Sequence, residues 1–150
     1  MKNILKLSLL LLSTFGISCS SDDDSSSSSI SDSVLTGTVF GENFTAEGGQ
    51  AFDTSFGDEE LVSINITNII AGCESSIFDY DLSVSTSVPF EEGTYENSNV
   101  VFSQDGETPL NVLSSTVIIE EITEETITVS IDANSSDSDV EGVFTVAYCE

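Results

Sequence analysis

Apolar residues recur at every second position in four separate stretches, and that period points to β-strands with one buried face. In residues 61–67, LVSINIT, Val62, Ile64 and Ile66 point one way while Ser63, Asn65 and Thr67 point the other. Residues 77–86, IFDYDLSVST, set Phe78, Tyr80, Leu82 and Val84 against Asp79, Asp81, Ser83 and Ser85. Residues 126–132, TITVSID, alternate around Ile127, Val129 and Ile131, and residues 141–148, EGVFTVAY, around Phe144, Val146 and Tyr148. The abundance of Val, Ile, Thr, Phe and Tyr agrees with strands. No stretch beyond residue 18 carries a helical pattern of useful length.

Turn signals divide these runs. Phe40-Gly41-Glu42-Asn43-Phe44 predicts a tight hairpin, Gly48-Gly49 a break, and residues 68–72 a short turn. Thr123-Glu124-Glu125 and residues 133–139 separate the last three strands, expected at 114–122, 126–132 and 140–148 as a meander. The fold class is all-β: a single antiparallel β-sandwich or β-barrel of about 8–10 strands. Either solution removes exposed edges.

Charge narrows what such a domain can meet. The chain has 27 Asp and Glu, two Lys and no His. Both Lys lie at positions 2 and 6, so everything after Lys6 carries 27 acids and no basic residue, a formal side-chain charge of −27. No side-chain salt bridge is possible there, and the fold must tolerate self-repulsion that salt screens. Nucleic acid is excluded as a partner, because nothing neutralises phosphates, and anionic lipid surfaces are disfavoured.

The beginning of the chain is different in kind. Lys2 and Lys6 precede an apolar run from Leu7 to Ile17, followed by GISCSSDDD at 16–24 and then five serines. The apolar run is about 11 residues, too short for the ~20 of a membrane-spanning helix, and its layout is that of a secretory signal peptide, residues 1–18. The stretch around Cys19 resembles the lipobox of bacterial lipoproteins, with Gly16 where Leu is common. The resemblance implies cleavage before Cys19 and acylation of its thiol. The run Ser20-Ser21-Asp22-Asp23-Asp24 is similar to the acidic export signal of Bacteroidota surface lipoproteins. Residues 19–32 then form a lipidated Cys and flexible acidic, Ser-rich tether, and residues 33–150 the β-domain.

Three short patterns extend the resemblance over residues 34–150: GTVFGENFTA at 37–46, EEGTYEN at 91–97 and EGVFTVAYCE at 141–150. They are similar to patterns in small Bacteroidota lipoproteins of unknown function. The resemblance implies a sandwich or barrel and offers no catalytic residue to carry over. With Cys19 lipidated in an oxidising compartment, Cys73 and Cys149 remain as a pair, and a disulfide between them is expected.

Candidate sites are few. Asp132, Asn134, Asp137 and Asp139 supply oxygen ligands for weak calcium binding. Asp137 stands where an EF-hand needs glycine, and a solvated hairpin loop accounts for the same residues. Ser33, in Asp32-Ser33-Val34, resembles a Bacteroidota O-glycosylation sequon. Adjacent acids such as Glu91-Glu92 point to opposite faces of a strand and make no glycosidase dyad. No His is present for a triad. Phe90 and Tyr95 lie near turns and offer stacking surfaces for sugars.

Together these readings give a non-enzymatic outer-membrane lipoprotein, exposed on the cell surface and held by Cys19, without a cofactor. An extracellular glycan or protein is the expected partner. The alternative is a lipocalin-like carrier of a small apolar ligand, for which a lined internal cavity would be required; a hydrolase comes third and would require a cleft with convergent carboxyls.

Overall fold

Each alternating run becomes a strand whose apolar side is sealed from water, and nine strands assemble into one sheet that closes on itself. The computed structural model describes residues 30–149. The strands are β1 (Thr36–Val39), β2 (Glu42–Thr45), β3 (Gly48–Phe56), β4 (Glu59–Thr67), β5 (Leu82–Pro89), β6 (Gly93–Gln104), β7 (Leu110–Ile122), β8 (Thr126–Asn134) and β9 (Asp139–Tyr148). Among the described residues there is no helix.

The strands from β3 to β9 run as consecutive antiparallel neighbours. The barrel closes where β9 meets β3 in parallel, through the two pairs Gln50–Ala147 and Ala51–Tyr148. Seven strands thus form a closed barrel, with the β1–β2 hairpin added along the first half of β9. The expected alternatives of sandwich and barrel resolve to the barrel.

Inward positions fill the interior. Val62, Ile64 and Ile66 of β4, Val100 and Phe102 of β6, and Ile127, Val129 and Ile131 of β8 have no or almost no exposed surface. A barrel of this strand number is just wide enough for its own side chains. The core is therefore the lumen itself, packed with branched residues that have few rotamers to lose.

The meander of the last three strands is present, with β7 starting at Leu110 rather than 114. The hairpin at Phe40 is a two-residue turn in which Phe40 and Gly41 both have positive φ, 51° and 76°. That mirror-image turn matches the twist of paired strands.

Three expectations change. Phe78 and Tyr80 alternate with acids yet belong to a loop; β5 begins only at Leu82, and Phe78 is 78% exposed. The partner strands impose this, since β4 ends at Thr67 and β6 at Gln104, leaving no strand to pair with residues 77–80, while the Asp81 carbonyl accepts from the Asp105 N–H just past β6. Gly48-Gly49 is no break but the start of β3. A side chain at Gly48 would collide with the backbone of Ala71 at 2.1 Å, so glycine there permits the 68–81 loop to lie against the strand. Finally, packing starts three residues before the expected boundary at 33. Ile30 is buried, and the Ser31 N–H donates to Glu141 Oε1 at 2.9 Å.

Candidate binding face at the barrel mouth

The ends of β3, β5, β7 and β9 and the starts of β4, β6 and β8 share one end of the barrel. Register decides which side chains turn inward there. Asp53 lies opposite Val62, and Tyr95 opposite Val117, both partners fully buried. Phe90 follows Pro89 and is half-buried, its N–H donating to the Glu60 carbonyl at 3.2 Å. Tyr148, the last residue of β9, packs its ring against Phe90 with centroids 5.4 Å apart. Its hydroxyl donates to Asp53 Oδ1 at 2.5 Å.

Phe90, Tyr148 and Tyr95 are partly buried and pack against the core at this end. The Tyr95 hydroxyl donates to the Glu91 carbonyl at 2.8 Å. Burial, and then the Glu91 carboxylate, push the Tyr95 phenol above its ordinary value, so it stays neutral at physiological pH.

Three surface clefts meet at Phe90. One of about 530 Å³ opens between Asp53, Glu60 and Leu61. A second, about 370 Å³, runs past Glu59, Pro89 and Glu91. The third, about 920 Å³, is walled by Glu74, Glu124, Glu125 and the Cys73–Cys149 pair. An aromatic platform is thus ringed by carboxylates in a chain with no basic residue beyond Lys6 to neutralise them. Such a surface attracts cations both through ring quadrupoles and through charge.

Cys73 and Cys149 form the expected disulfide, with Cα atoms 5.4 Å apart. It joins the end of β9 to the β4–β5 loop.

The oxygen-rich hairpin between β8 and β9 is held by its own hydrogen bonds. Ser135 N–H donates to the Ser138 carbonyl at 2.7 Å, and Ser138 N–H to Ser135 Oγ at 3.2 Å. Asn134 lies opposite Asp139, and its Nδ2 donates to Asp139 Oδ2; Asp132 lies opposite Glu141. The strands thus bring Asp132, Asn134 and Asp139 to one face, whereas the Asp137 carboxylate lies by Ser135 Oγ. Partial burial first, then Glu141 and Asp139, hold the Asp132 carboxyl above its ordinary value. Among the described residues, no three His, Cys, Asp or Glu are grouped to hold a metal ion. Ser33 is exposed, and its carbonyl accepts from the Val143 N–H at 2.8 Å. Cys19, residues 1–18 and most of the tether lie outside the described residues.

Sequence reasoning singled out Phe90 and Tyr95 but took Tyr148 only as a core position. Only the closure of the barrel brings Tyr148 to Phe90. Compared with known proteins, the chain matches no protein-family model, no curated protein and no solved structure.

Proposed function

We propose that this chain is a non-enzymatic surface lipoprotein, anchored through Cys19, whose barrel binds cationic ligands at its Phe90–Tyr148 mouth. The observation that carries the reading is the paired rings among Asp53, Glu60, Glu91, Glu124 and Glu125. A ligand ammonium over those rings gains a cation–π contact, and the surrounding carboxylates raise its local concentration. A barrel is also the architecture of a lipocalin-like carrier. The interior here is taken up by core side chains such as Phe102 and Ile64, so ligand binding is assigned to the outside of the mouth.

Titration calorimetry with spermidine tests the mouth. Phe90→Ala is expected to weaken binding by about 0.5–2 kcal/mol. Phe78→Ala, exposed in the β4–β5 loop at the other end of the barrel, leaves it unchanged. Equal affinity for both variants would remove the mouth as the site. Anchoring has its own readout: protease shaving of intact cells should release the barrel and leave an acylated Cys19 peptide in the membrane. Protection until the outer membrane is broken would place the domain in the periplasm.

A further inference from the structure

We propose that the half of β3 nearest the mouth is an open sheet edge that takes an extended, Lys- or Arg-rich peptide as an added strand. Residues 52–56 pair with β4 on one side. On the other side, β9 meets β3 only at Gln50 and Ala51. In an antiparallel pair, backbone groups turn alternately towards the partner strand and away from it. Two bonds at the seam show which residues of β3 turn away from β4. Gly49 N–H donates to the Ala71 carbonyl at 3.1 Å, and the Ala51 carbonyl accepts from Cys149 N–H at 2.8 Å. Asp53 and Ser55 continue that series. Both are exposed, and among the described residues the outward N–H and C=O of each have no backbone partner. The cleft of about 530 Å³ beside Phe90 is lined by Asp53, Thr54 and Ser55 themselves, so there is room along this edge.

Charge selects the occupant. The turn after this edge and the start of β4 carry Asp58, Glu59 and Glu60, all exposed, and the neighbouring cleft is walled by Glu74, Glu124 and Glu125. A second copy of this chain would bring further carboxylates and, beyond Lys6, no cation, so edge-to-edge pairing of two copies is opposed. A basic strand is attracted by the same carboxylates. The backbone selects as well. Asp53 and Ser55 lie ~6.8 Å apart along the strand and together offer two donors and two acceptors. A polyamine carries donors only and leaves both N–H groups to water. An extended peptide presents donors and acceptors at the spacing of the edge, which is how strand addition gains its affinity. The preference for a basic peptide rests on the reading of the mouth as a cation site; the open edge is a separate observation.

All the described structure lies in residues 30–149, so the chain starting at Ser20 keeps the barrel and is the species to titrate. The probes are acetyl-Lys-Val-Lys-Val-Lys-Val-amide and the same peptide with its backbone amides N-methylated. Methylation keeps every charge and removes the donors, and it should weaken binding about tenfold, the worth of one or two hydrogen bonds. Ser55→Pro removes an N–H that β4 does not use, at a position on an edge where proline is tolerated. It should weaken the unmethylated peptide by a similar factor and leave spermidine affinity unchanged, with circular dichroism confirming that the strands persist. Hydrogen exchange at Asp53 and Ser55 should slow with the peptide and not with spermidine. Equal affinity for the two peptides, or peptide affinity unmoved by Ser55→Pro, overturns the added strand and leaves the cation site standing. Failure of the unmethylated peptide to bind overturns it too, whatever spermidine does. Peptide binding with both losses but no spermidine binding supports the open edge and removes the Phe90–Tyr148 cation site.

Discussion

Replacing Cys73 and Cys149 together with serine should lower the unfolding free energy by about 4 kcal/mol, because the bond closes a long loop in the unfolded chain. Cys73 and Cys149 are 76 positions apart. Domains of this size have stabilities of about 5–15 kcal/mol, so the loss is a large share of the total. The folded state gives a second reason to expect a large effect. Only two registered pairs, Gln50–Ala147 and Ala51–Tyr148, join β9 to β3. Beside them the Tyr148 hydroxyl donates to Asp53, and two further bonds involve the disulfide and its loop: Gly49 N–H donates to the Ala71 carbonyl at 3.1 Å, and Cys149 N–H to the Ala51 carbonyl at 2.8 Å. Without the bond, both ends of the seam are free to fray. Urea unfolding of the double variant measures the loss, and hydrogen exchange locates it. Faster exchange at Gly49 and Cys149, with β6 and β7 unchanged, is the expected pattern. A loss below about 1 kcal/mol would show that the unfolded chain is not appreciably constrained by the bond.

The same seam explains which parts of the fold were legible in the sequence. Period-two alternation identified β4, β8 and β9 and their inward residues because each strand has one face in the lumen. It failed at Phe78 and Tyr80, where alternation continues past the point at which neighbouring strands stop. Alternation also hid the length of β6, which runs from Gly93 to Gln104. Irregular register around Ser98, with Asn97 at a φ of 57°, shifts the pattern midway. Barrel closure was not legible, since it depends on two residue pairs almost 100 positions apart in sequence. The mouth was legible only in part for the same reason. Phe90 lies beside a turn signal, whereas Tyr148 joins it only once β9 has returned to β3. The acids around both residues are plain in the composition; their convergence is a product of strand ends meeting at one rim.

Acid and salt should both stabilise this barrel, the reverse of what is usual for a protein held by ion pairs. Neighbouring carboxylates about 10 Å apart repel by about 0.4 kcal/mol in unscreened water. The chain beyond Lys6 carries 27 of them and no cation. Folding gathers those charges into a smaller volume than the unfolded coil, so the net term opposes the native state. At 1 M salt the Debye length falls to about 3 Å, and most of this repulsion is screened. Unfolding free energy should therefore rise by several kcal/mol between 0.05 and 1 M NaCl. Sodium chloride suits the test because it is close to neutral in its effect on apolar burial, whereas sulfate would strengthen burial directly. Asp132 predicts the pH dependence. Its folded carboxyl is held above the ordinary 3.8 by burial, Glu141 and Asp139. The folded state therefore binds its proton more readily than the unfolded chain does. The resulting stabilisation is complete below the unfolded value and is lost as pH rises through the raised folded value. Asp132→Asn should make the protein more stable at pH 7 and flatten the rise in stability on acidification. Urea titrations of wild type and Asp132→Asn at pH 7 and pH 4, each at low and high salt, measure both terms. Stability that falls steadily from pH 7 to pH 4 at low salt would mean that carboxylates in the native state are held by favourable hydrogen bonds more strongly than they are opposed by one another.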